Sequence, residues 1–194
     1  MNRGLFQVGL LILMLMSLDI VTIRAQDDPQ VRKELEGQYQ KLIDAHNRQD
    51  LKAIVALKTA DFHAIFPDGR IGDSKTMEQY SKQFLESNQP PYEMRFTIQK
   101  LTVSENKLIA AAEVFQELSR YRELAGKRRK VDTSVVQRET WAKTPEGWKL
   151  KCVDNVRDQK RFVDGKRVDP TKPYNPDDPP YNPDDTKDKK PPDR

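Results

Sequence analysis

Cysteine, histidine and glycine are scarce in this 194-residue chain: one Cys, two His and eight Gly. The lone Cys152 excludes an intramolecular disulfide, and it lies too far from the N-terminus to carry a lipid there. It reads as a small buried hydrophobe, since no histidine stands near it to activate the thiol. His46 and His63 do not share the i, i+4 spacing of a helical zinc pair, so no metal is implied, and no phosphate- or cofactor-binding motif is present. No Asn-x-Ser/Thr triplet occurs, which removes N-glycosylation. Charge of one sign is not in large excess: 34 Lys and Arg against 30 Asp and Glu leave +4, too balanced for a dedicated nucleic-acid binder. No uncharged run is long enough for a membrane span of about 20 residues.

The longest such run, Leu5 to Leu18, follows Arg3 and ends at Asp19. A positive start, a short apolar stretch and Ala25 before the cut read as a secretory signal over residues 1–25, which implies a secreted or periplasmic protein with no membrane span after cleavage. The hydrophobic residues that remain concentrate in residues 26–160, enough for one core. Residues 161–194 hold eight of the thirteen prolines and five hydrophobic residues. Within them PYNPDDP at 173–179 is followed at once by PYNPDDT at 180–186. Such a composition cannot offset its ordering entropy, so the segment is expected to be a disordered tail. Its paired aspartates lack the glycine and glutamate of a calcium loop. An arm that docks its tyrosines and carboxylates on a basic surface is the functional alternative. The run Lys127 to Lys130, expected in a hairpin loop, is its nearest counterpart.

Between these ends the periodicity switches once. Asp28-Pro29, Asp50 and Asp73 are helix starts, each ahead of an apolar stripe: Val31, Leu35, Tyr39, Leu42 and His46; then Leu51, Ile54 and Val55; then Met77, Tyr80, Phe84 and Leu85. Phe62, Ala64 and Phe66 alternate as an early strand, turned by Pro67-Asp68-Gly69. From Met94 to Arg157 the period is two, in four segments separated by turns. The chain is therefore expected to be α+β, with three N-terminal helices packed on one face of a curved, mainly antiparallel sheet. For residues 108–121 both alternations are apolar, and the phase stays open.

The segment LIDAHNRQDLKAIVALKTADFHAIFPDG, residues 42–69, carries a helix, Asn-x-x-Asp, a second helix, Ala-Asp-Phe, a strand and Pro-Asp-Gly. It resembles the nuclear transport factor 2-like superfamily, which includes SnoaL-like cyclases and ketosteroid isomerases; the ending Glu139-Thr-Trp-Ala-Lys…Gly147-Trp-Lys-Leu is similar to its last hairpin. The resemblance implies a cystatin-like cone with a pocket between helix and sheet. It carries the isomerase's carbonyl-polarising tyrosine onto Leu42, its aspartate base onto Phe66, and its second oxyanion-hole acid onto Glu139. Leucine cannot donate and phenylalanine cannot take a proton, so isomerase chemistry is not expected.

Strand and helix phase assign ten pocket residues: Tyr39, Leu42, His46, Phe62, Phe66, Glu139, Trp141, Leu150, Cys152 and Asp154. Their apolar majority suits a small apolar or amphipathic ligand and needs no cofactor. The favoured expectation is a binding or association module, a homodimer through its exposed sheet face. The alternatives are a cofactor-independent cyclase, dehydratase or isomerase that pairs His46 with Glu139 or Asp154, and an envelope protein that works through its tail.

Overall fold

In the computed structural model, described for residues 27–183, the chain is α+β: a few helices on a curved, open, mixed sheet of seven strands. The expected signal segment, residues 1–25, and the last residues of the tail lie outside the described residues. Helix α1 spans Pro29–Asn47, and Asp28 caps it by accepting from the amides of Gln30 and Val31, an arrangement that contributes about 1 kcal/mol. Helix α2, Leu51–Ala56, and helix α3, Ser74–Ser87, are capped in the same way by Asp50 and Asp73.

The strands are β1 Lys58–Ile65, β2 Ile71–Gly72, β3 Gln89–Val103, β4 Ile109–Leu124, β5 Lys127–Thr144, β6 Gly147–Val163 and β7 Lys166–Val168. Their order is β2-β1-β6-β5-β4-β3, with β7 on the far end of β6. The pairs from β3 through β6 are antiparallel; β1 runs parallel to β6, so the sheet is mixed where β1 joins it. Two-residue turns join β4 to β5, β5 to β6 and β6 to β7. Ala125-Gly126 and Asp164-Gly165 both take positive φ at each central position, the geometry that matches strand twist.

The open phase of β4 is settled by burial. Ala110, Ala112 and Val114 are sealed, whereas on the other alternation Ile109 faces solvent and Ala111 and Phe115 are only half-buried. The two alanines let α1 approach the sheet closely. Val31, Leu35 and Tyr39 of α1 then pack with Ile98, Leu101, Trp141 and Trp148. Each such buried side chain contributes about 1.5–3 kcal/mol. Glu34 fastens the same helix to the last hairpin, accepting from the Trp148 indole at 2.7 Å and from Lys143 at 2.5 Å. A second cluster, Ala45, Ile54, Leu85, Tyr92 and Leu118, closes the helix ends.

Two expectations are corrected. Lys127 to Lys130 do not form a loop: they begin β5, and Arg129 pairs with Asp164 at 2.8 Å. The turn needs only two residues, so the basic run is left to pair with Glu123, Arg122 and Tyr121 across the ladder. The folded unit also passes residue 160. Strand β6 reaches Val163, β7 follows, and Val131, Val163 and Val168 form a third buried cluster against which Leu124 and Tyr174 pack. The expected tail is thus structured in its first part, because Phe162-Val163-Asp-Gly-Lys-Arg-Val168 is a hairpin, not a proline-rich run.

Candidate functional site

Beyond the part of the sheet filled by α1, a cavity of about 580 Å³ opens between the C-terminal end of α1, α2, α3, β1 and strands β4 to β6. Its apolar wall includes Leu42, Ile54, Phe62, Phe66, Leu118 and Leu150. The polar groups on its wall come from His46, Lys58, Gln116, Arg120, Gln137 and a few others. The proportions are those of a small-molecule site.

Five of the ten expected pocket residues line this cavity: Leu42, His46, Phe62, Phe66 and Leu150. The other five do not. Tyr39, Glu139 and Trp141 do point inward, but into the core. The Tyr39 hydroxyl donates to Glu139 Oε2 at 2.6 Å, and the Trp141 indole donates to the same oxygen at 3.1 Å. Gln137 donates to Glu139 Oε1 at 2.7 Å, and is the one member of this network that reaches the cavity wall. Tyr39 stacks on Phe96 with ring centroids 4.7 Å apart, edge-on to Trp141. Burial pushes the Glu139 carboxyl above its ordinary range, against the lowering by its three donors. Burial and the neighbouring Glu139 push Tyr39 well above a free phenol.

Cys152 and Asp154 are corrected for a separate reason. Trp141 pairs with Leu150 but Thr140 with Cys152, so Lys151 is an extra residue in β6. Such a bulge reverses the faces beyond it. Leu150 and Val153 therefore line the cavity, while Asp154 receives a two-pronged bond from Arg138 at 2.6 and 2.7 Å outside it. Cys152 is buried, and that burial raises its thiol pKa.

The acid–base pair expected at His46 does not form. His46 Nδ1 lies 2.8 Å from the Leu42 carbonyl, and its ring packs edge-on against Phe84 and Tyr92. Burial, with a smaller contribution from the nearby Lys58 charge, lowers its pKa. Glu139 is saturated by its three donors and Asp154 by Arg138. Tyr39 and Glu139 together have the chemistry of an oxyanion hole, one turn before the Leu42 position the resemblance implied, but at 4% and 2% exposure no substrate oxygen reaches them.

Sequence reasoning missed Lys58, Gln116, Arg120 and Gln137. Two of them had a usable signal. Gln116 and Arg120 continue the alternation Ala110, Ala112, Val114 and Leu118, so they are polar residues on an inward face. Arg120 donates to Asn88 Oδ1 at 2.9 Å and to Thr133 Oγ1 at 3.1 Å, and lies over the Phe84 ring.

No family model matches the chain, and no curated protein matches it in sequence. Solved structures match in fold. A conserved protein from Planctomyces limnophilus gives a TM-score of 0.54 at 14% identity, over 66% of this chain and 97% of that one. Aln2 from a Streptomyces species gives 0.55 at 9% identity, over 68% and 92%. A candidate dehydratase of the NTF2-like family from Streptomyces avermitilis gives 0.50 at 14% identity, over 65% and 96%. The chain has the nuclear transport factor 2-like fold.

Proposed function

We propose that this protein is a small-molecule-binding module whose ligand occupies the cavity between the helices and the sheet. The observation that carries the reading is the division of labour inside the fold. The carboxylates expected to perform acid–base chemistry, Glu139 and Asp154, are already paired and stand off the wall, while an apolar cavity of ligand size lies beside them. A general base must reach a substrate proton, and none of His46, Glu139 and Asp154 is arranged with a partner to do so. On this reading the mature chain works as a homodimer in a secreted or periplasmic setting, to which residues 1–25 direct it.

Native mass spectrometry of the mature protein, purified gently from its own host, tests the reading. A co-purifying molecule is expected, and Ser134→Trp, which builds an indole into the cavity wall, is expected to abolish the adduct without unfolding the chain. The same spectrum reads the mass of the assembly. An adduct that survives Ser134→Trp would put the ligand elsewhere, and an apo spectrum that stays apo after incubation with apolar ligands would remove the binding reading.

A further inference from the structure

The cavity wall is sorted by sign. Among the described residues His46, Lys58, Arg120, Lys160 and Arg161 line it, and no Asp or Glu does. Three of these cations are part-buried and have no carboxylate within 4 Å among the described residues. Lys58 donates once, to Ser81 Oγ at a long 3.3 Å, and its ammonium lies 4.9 Å from the centre of the Phe62 ring. Arg120 is held by the neutral Asn88 and Thr133. Arg161 gives one nitrogen to the carbonyls of Asp169 and Lys172, both at 2.5 Å, and its buried Nε has no partner.

Buried cations are ordinarily paired, because removing a charge from water is strongly unfavourable. Here the penalty is visible. Burial lowers Lys58, with only the exposed Glu78 acting against it, and burial, helped by Arg122 and Arg161, brings Arg120 down to about 10. Three cations on one apolar wall, opposed only by the more distant Glu78, Asp132 and Asp169, form a field that favours a negative visitor. The two guanidinium groups already direct donors at protein oxygens. Lys58 retains two of its three, and stands beside Phe62 at the apolar end of the wall.

We propose that the cavity takes an amphipathic carboxylate, its head group on Lys58 and its apolar body against Leu42, Ile54, Phe62, Leu118 and Leu150, within the field of Arg120 and Arg161. This inference rests on the binding reading above and narrows it to one ligand class. The groups near Lys58 are consistent with it: Ser81 can share the head group, Phe62 carries no charge, the lowered pKa of His46 keeps that ring neutral near pH 7, and Glu78 acts on Lys58 only from an exposed position off the cavity wall.

Calorimetric titration of the mature chain with decanoate and with decanol, near neutral pH and at low salt, separates the two claims. Decanoate is expected to bind at least about tenfold more tightly, the worth of one charge-assisted hydrogen bond. Lys58→Met is expected to erase that preference and leave decanol affinity within about twofold, and Lys58→Arg to retain the preference. Should Lys58→Met fail to fold, Lys58→Gln makes the same comparison. Equal affinity of the two ligands, or a preference that persists without the Lys58 charge, overturns the carboxylate assignment and leaves the pocket standing. Failure of both ligands to bind the wild-type chain overturns the pocket reading itself.

Discussion

Glu139→Ala is expected to lower the free energy of unfolding by about 3–5 kcal/mol, a large fraction of a domain's total. The side chain is 2% exposed and collects three donors: the Tyr39 hydroxyl, the Trp141 indole and the Gln137 amide. Alanine leaves all three in the core without an acceptor, and each orphaned group costs about 1–3 kcal/mol. Relief of the buried carboxyl's own desolvation offsets part of the sum. Urea unfolding followed by Trp fluorescence measures it, with an unchanged slope showing that only stability moved. A loss under about 1 kcal/mol would mean that water reaches these groups, and the closed core described above would be wrong. Were Glu139 instead a catalytic acid, its removal would spare stability and abolish turnover, so the same variant separates the two roles.

The pH dependence of that stability has a definite sign. Burial raises the Glu139 pKa in the folded state above its ordinary 4.5. The folded chain then binds more protons than the unfolded chain at every pH from about 4.5 up to the folded value. Stability is fully present below 4.5 and declines as pH rises through that window. Two other groups act oppositely. His46, lowered by burial from 6.5, removes stability as pH falls below 6.5. Glu34, drawn down to about 2 chiefly by its bond from Lys143, does so below 4.5. Subtracting the Glu139→Gln profile from the wild-type profile isolates Glu139. The difference is expected to fall with rising pH from about 4.5, and a difference that rises instead would show the carboxyl to be held charged.

What was legible in the sequence was whatever local chemistry decides. The three aspartate caps start helices where they were expected, because a side-chain acceptor ahead of an apolar stripe has few other uses. The alternation in β5 put Glu139 and Trp141 on the inner face correctly. What alternation could not say is how deep along the strand the core ends and the cavity begins. That boundary is set by the bulk of Tyr39, Phe96 and Trp141 packed together, which is tertiary. The bulge at Lys151 has no compositional mark at all, and it moved Cys152 and Asp154 off the cavity. The β4 phase was undecidable from one strand because both its faces are apolar; the helix lying on it chose the alanines. Asp164-Gly165 differs from these. An Asp-Gly pair between Phe162-Val163 and Arg167-Val168 is a strong hairpin signal, hidden only by averaging it with the prolines that follow.

That hairpin yields the second large effect. Ending the chain after Val168 is expected to cost about 1–2 kcal/mol. It removes Tyr174 from Arg129 and Tyr181 from Arg167, where each guanidinium lies over its ring at 5.4 and 5.7 Å. It also strips Arg161 of the Asp169 and Lys172 carbonyls. Ending it after Lys160 is expected to cost about 3–5 kcal/mol more. Val163 and Val168 are then gone and Val131, 2% exposed in the full chain, meets water; each contact of this kind is worth about 1.5–3 kcal/mol, less the backbone entropy recovered. Arg129 loses Asp164, and the ladder from Val131 to Thr133 loses its partner residues. The two truncations, compared by urea midpoint against the mature chain, decide where the domain ends. Coincident midpoints would place the boundary at residue 160. A wide gap would make the hairpin of residues 161–168 part of the sheet, and of the cavity too, since Arg161 stands on its wall. Loss of ligand in the shorter chain alone would then follow from the wall it lacks.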